Sequence, residues 1–150
     1  MFKRILVPVD GSETSNRALV AALQIARETG GRIRVIHSVD ELVYVADTAY
    51  DPTILRSARE WAGKILQEAL AVANATGVPA DSRLVEAPGR RLGDVVADEA
   101  QAWEADLVVV GTHGRKGVGR VLLGSGAEQV LRASRVPVLS VRGSNNPVHD

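Results

Sequence analysis

Leu107-Val108-Val109-Val110-Gly111-Thr112-His113-Gly114-Arg115-Lys116-Gly117-Val118-Gly119-Arg120-Val121-Leu122-Leu123-Gly124-Ser125-Gly126-Ala127-Glu128 is the stretch on which the fold turns. Its first four residues read as a buried strand. Its last four read as a helix start, with Ser125 and Glu128 at capping-box spacing. Between them lies a basic loop rich in glycine: six of the chain's 14 glycines fall at 111–126, and no acid occurs between Asp106 and Glu128. Glycine lets the backbone approach an anion closely, free N–H groups point at it, and a helix N-terminus adds partial positive charge. The stretch therefore predicts a strand, a phosphate-binding loop and a helix, in that order. Residues 112–124 also make a longer connection than most α/β loops.

The same alternation runs outward in both directions. Ile5 to Val9 is a short apolar run. Ala18, Leu19, Ala22, Leu23, Ile25 and Ala26 repeat at helical spacing over about 13–29, with Ser12 as N-cap and Gly30-Gly31 as stop. Ile33 to Val39 reads as a second strand, 40–52 as a loop, and about 53–76 as a long amphipathic helix ended by Gly77-Val78-Pro79. A weaker strand follows near 81–87. Leu92, Val95, Val96, Ala100 and Trp103 mark a third helix, 125–134 a fourth, and Val136 to Val141 a last strand. The sequence predicts one domain over 1–142 with a flexible tail over 143–150.

Strict β-α alternation implies a doubly wound five-stranded parallel sheet with helices on both faces and right-handed crossovers. In the order 3-2-1-4-5, strands one and four are neighbours at the switch point, where ligands bind beyond the carboxyl ends. The turn Pro8-Val9-Asp10-Gly11-Ser12 and the glycine-rich loop would then line one crevice.

Composition narrows the chemistry. Hydrophobic residues are 45% of the chain and aromatic residues 3%, so the core must be aliphatic and base-stacking platforms are disfavoured. Basic and acidic residues number 18 each, which argues against a general nucleic-acid or membrane-surface binder. With no cysteine, disulfides, thiolate zinc sites and iron–sulfur clusters are excluded. No run approaches the roughly 20 apolar residues of a membrane span and no signal peptide is visible, so the expected location is cytoplasmic.

Individual residues carry competing readings. The loop lacks G-x-x-x-x-G-K-[ST], and no G-x-G-x-x-G follows the first strand, so it is neither a Walker A nor a Rossmann loop. Asp10 either caps the first turn or accepts from a ribose or base. His113, within the loop, either contacts phosphate or faces solvent, and Arg115, Lys116 and Arg120 offer charge to a phosphate. His37, in an apolar run, reads as structural. Arg90-Arg91 read either as a solvated helix start or as facing a ligand, because their turn also opens at the carboxyl end of the sheet. Trp103 fits the core, and Trp61 lies off the apolar stripe. Ser12, Ser15 and Ser125 lack a His/Asp arrangement, so nucleophilic catalysis is not indicated. An exposed last strand carrying Val136, Val138 and Val141 invites a second copy, giving a homodimer.

These motifs resemble the universal stress protein family over residues 2–142. The most specific is G-x2-G-x9-G-[ST], matched by Gly111, Gly114, Gly124 and Ser125. Ile5 to Ser12, Asp106 to Arg115 and Pro137 to Arg142 are similar to the family's opening, fourth and closing strands. The resemblance implies the adenine nucleotide alpha hydrolase-like fold and ATP as ligand, with magnesium or manganese carried by the nucleotide. It implies Asp10 at the adenosine with Pro8 and Val9 lining it, the Ser38 main chain at the adenine and Gly111 near the ribose. Gly114, Gly124 and Ser125 would bind the phosphates. It implies a nucleotide-dependent stress or regulatory dimer with at most weak ATP hydrolysis. AMP or cyclic-nucleotide sensing, and a ligand-free scaffold, are the alternatives. Gly126, Ser38 and Ser140 depart from the family's usual residues, and Gly126 suggests a looser helix start.

Overall fold

The computed structural model describes residues 1–39, 51–112 and 125–143. Nine elements follow one another: β1 (Arg4–Pro8), α1 (Glu13–Thr29), β2 (Arg32–Val39), α2 (Pro52–Ala75), β3 (Ala80–Glu86), α3 (Leu92–Trp103), β4 (Leu107–Gly111), α4 (Ser125–Ala133) and β5 (Val138–Val141). All strand pairs are parallel, in the order β3-β2-β1-β4-β5. This is the predicted doubly wound sheet.

Side-chain alternation along the strands divides the core in two. Ile5, Val7, Ile33, Val35, Leu107 and Val109 face α1 and α2, packing on Leu19, Leu23, Ile65 and Leu66. Leu6, Ile36, Val108 and Val110 face α3 and α4, packing on Val96, Ala100, Trp103 and Val130. The aliphatic core anticipated from composition is thus two layers separated by one sheet.

Helix boundaries follow from caps. Ser12 accepts from Ser15 N at 3.2 Å, and Gly30 closes α1 in the left-handed conformation, φ 71°. Asp51 and Pro52, expected within a loop, instead start α2. Asp51 accepts from Thr53 N at 2.9 Å, and Pro52 occupies the first turn, where its missing N–H costs nothing. The last strand is shorter than expected. Val136 sits in a turn held by Ser134, whose Oγ donates to Val136 O at 2.8 Å, and only Val138–Val141 form β5. Trp103 is buried, as its apolar spacing predicted, whereas Trp61 is 47% exposed. Among the described residues, no helix is long and apolar enough to cross a membrane.

Close helix crossings explain two glycines. A Cβ on Gly93 would lie 2.4 Å from the Gln129 carbonyl oxygen, so α3 and α4 touch backbone to backbone there. Gly126 lies inside α4, and its Cβ position is 3.0 Å from Leu92 Cδ2. Gly126 thus leaves room for the Leu92 side chain of α3.

Candidate functional site: the crevice at the carboxyl ends of β1 and β4

The winding reverses between β1 and β4, and the chain opens there for a local reason. Val9 N donates to Ile36 O at 2.8 Å, so the preceding nitrogen, that of Pro8, faces β4. Proline has no N–H to offer. The β1–β4 ladder is recorded at Ile5–Leu107 and Leu6–Val108, although the strands run on to Pro8 and Gly111.

The turn after β1 is held by its own short side chains. Ser12 N donates to Asp10 Oδ1 at 2.9 Å, and Asp10 N donates to Ser15 Oγ at 3.1 Å. Gly11, at φ 81°, occupies the left-handed region that this reversal requires. Asp10 is half-buried, with one carboxylate oxygen committed to the turn. It both caps the turn and presents a carboxylate at the switch point.

On the β2 side, His37 Nδ1 donates to Val9 O at 2.7 Å and ties the second strand to the first loop. This is the structural role that its apolar setting suggested. Ser38 lies two residues beyond Ile36, the last β2 residue laddered to β1. Its N–H and C=O point to the side where β1 has ended.

On the β4 side, Gly111 abuts the first turn of α1. A Cβ there would stand 2.7 Å from the Thr14 carbonyl carbon and oxygen and 2.9 Å from Ser15 N. A Cβ on Gly143, just past β5, would likewise stand 2.9 Å from Thr14 Cγ2. Thr14 is thus buried between two glycines, and Gly111 has a packing reason to be glycine that sequence reasoning missed. Thr112 follows. Its N donates to Val141 O at 2.9 Å, and it is 6% exposed. Among the described residues, its Oγ1 is the one buried side-chain polar atom without a hydrogen-bond partner. A buried hydroxyl left unpaired costs about 1–3 kcal/mol, a cost a polar ligand removes. The only signal for it was its place, a hydroxyl between an apolar strand and a glycine loop.

The structure therefore brings Pro8, Val9, Asp10, Ser38 and Gly111 to one end of the sheet, with Thr112 beside them. Ser125 begins α4. His113, Gly114, Arg115 and Gly124 lie outside the described residues. Glu128 turns to Arg132, 2.7 Å away and one helical turn on. Arg90 pairs with Asp98 at 2.7 Å, in keeping with a solvated start to α3.

The chain is a doubly wound α/β protein with an opened switch point, a glycine at the end of β4 and a helix starting beyond it, and in that class ligands bind at the switch point. The universal stress protein family model matches residues 1–142, and this chain belongs to that family. A universal stress protein from Thermus aquaticus is 34% identical over 142 residues, covering 95% of this chain and all of that protein. A solved universal stress protein from Burkholderia pseudomallei has 35% identity and a TM-score of 0.76, covering 93% of this chain and 96% of its own. A universal stress protein solved in complex with cAMP is 29% identical with a TM-score of 0.67, covering 95% of this chain and 98% of its own.

Proposed function

We propose that this chain is an adenine-nucleotide-binding stress protein whose ligand spans the carboxyl ends of β1 and β4. The observation that carries the reading is the orphaned hydroxyl of Thr112, buried where the opened strands meet the glycine pattern. Asp10 and the Ser38 main chain would take the adenosine end, with Pro8 and Val9 lining it and Gly111 near the ribose. Gly114, Gly124 and Ser125 would take the phosphates, beside His113 and Arg115. ATP is the ligand we favour, because the glycine pattern and basic loop suit a polyphosphate. A divalent ion held by its phosphates would neutralise their charge. The relative solved in complex with cAMP supports an adenine nucleotide as the ligand.

The protein acts as a binder rather than a rapid hydrolase. Phosphoryl transfer needs an oriented water, and in this reading the Asp10 carboxylate is committed to the adenosine end, away from the phosphates. Binding would act through a cytoplasmic dimer joined along β5, whose Val138 and Val141 are half-buried and whose Leu139 is 39% exposed.

Isothermal titration with ATP, AMP and cAMP tests this. We expect ATP to bind the wild type and a Gly114→Ala/Gly124→Val variant to lose it. Absence of binding by the wild type to all three nucleotides, or unchanged binding by the variant, sinks the proposal.

A further inference from the structure

The amino-terminal end of the sheet, opposite the crevice, holds a cavity of about 520 Å³. Arg32, Asn74, Pro79, Asp81 and Trp103 form its wall. The strand register explains its charge. Arg4 stands directly opposite Arg32, and Arg34 directly opposite Asp81, all on the α3 face of the sheet. Like charges paired across strands are destabilising, so three guanidiniums beside one carboxylate need other partners.

Two of the three have them. Arg34 grips both Asp81 oxygens, at 2.8 and 2.9 Å, and its guanidinium carbon is 5.1 Å from the Trp103 ring centroid. Arg4 Nε donates to Trp103 O at 2.8 Å, and its guanidinium carbon lies 4.4 Å from the same ring centroid. Asp106 is also engaged, accepting from Lys3 N and Arg4 N at 2.9 and 3.0 Å. Arg32 remains. Its backbone N donates to Lys3 O at 2.9 Å, but its side chain is exposed and lines the cavity, and its guanidinium has no hydrogen bond or ion pair among the described residues. Asn74 shares its wall, and Pro79 supplies exposed apolar surface beside Trp103, which is 7% exposed.

We propose that this cavity is a second ligand site, for a small organic anion. Its carboxylate or phosphate group pairs with Arg32 and Asn74, and its body lies against Pro79 and Trp103. The planar guanidinium fork suits a two-oxygen anion, and the apolar wall distinguishes an organic anion from a bare ion. Arg34 occupies both Asp81 oxygens, which leaves Arg32 only a longer-range attraction to that acid. The site is independent of the nucleotide crevice, so failure of ATP to bind leaves it intact.

Amide NMR titration of the full chain with benzoate, and separately with phenyl phosphate, tests the site. We expect saturable shifts at Arg32, Asn74, Gly77, Ala80 and the Trp103 indole, with Kd about 0.1–10 mM. Saturation by benzoate alone assigns a carboxylate ligand, and by phenyl phosphate alone a phosphate ligand. Arg32→Gln should weaken binding about ten- to a hundredfold while leaving ATP-induced shifts at Gly11 and Ser12 unchanged. The proposal is overturned if neither probe gives saturable shifts near Arg32, if shifts fall only at the crevice, or if Arg32→Gln binds like the wild type.

Discussion

Gly111 meets Thr14 so closely that no side chain fits between them: a Cβ would fall 2.7 Å from the Thr14 carbonyl. The carboxyl end of β4 and the first turn of α1 are therefore one packed unit, and the crevice inherits its shape from that contact. Gly111→Ala should force the α1 N-terminus outward and cost about 1–3 kcal/mol. Gly63→Ala, in α2 with nothing within 4 Å of its Cβ position, should instead stabilise by about 0.5–1 kcal/mol. Urea denaturation of both variants checks the contrast, and equal effects of one sign would refute it.

His37 fixes the β1 turn through its 2.7 Å bond to Val9 O. Replacing it by Phe keeps the ring and removes the donor. The expected cost is about 0.5–1.5 kcal/mol in denaturation. A crevice that depends on this tie should also bind ATP more weakly in the variant, by isothermal titration.

The Arg34–Asp81 pair makes part of the stability dependent on pH. The Arg34 hydrogen bonds hold the Asp81 carboxyl below its ordinary value of 3.8, with Arg32 and Arg4 adding to the effect. A carboxyl lowered in the folded state contributes fully above its unfolded value and loses that contribution as pH falls through the folded one. Because both side chains are partly exposed, the contribution should stay below about 1 kcal/mol. The stability gap between wild type and Asp81→Asn should therefore be present at about pH 7 and shrink toward about pH 3 in urea denaturation.

The β5 edge offers a direct test of assembly. Leu139 is 39% exposed on a four-residue edge strand. Leu139→Lys adds a charge of the kind that blunts such edges. Sedimentation should show the wild type as a dimer and the variant shifted to monomer, with thermal stability of the fold retained.

The fold was legible because its signals are local and repeated. Short aliphatic runs alternating with helical spacing dictate a parallel sheet, and Ser12 and Gly30 mark the limits of α1. The misplaced boundaries also have physical causes. Asp51-Pro52 looks like a loop in composition, yet a capping carboxylate followed by a proline starts α2. Val136 has strand propensity, yet Ser134 folds it into a turn. Within the site, Asp10 and the switch point followed from pattern. Thr14, Thr112 and the His37–Val9 tie did not, since each depends on a contact between segments far apart in the chain. Arg32 was equally silent, because its partners on the sheet are set by register rather than by sequence distance.

Pro8 contributes the absence of an N–H, and Gly11 and Gly111 the absence of a Cβ. The crevice is thus carved by atoms its residues do not carry. Such a site is fragile to gains: one added methyl at 111 would press on the Thr14 backbone and displace the helix that frames the hollow.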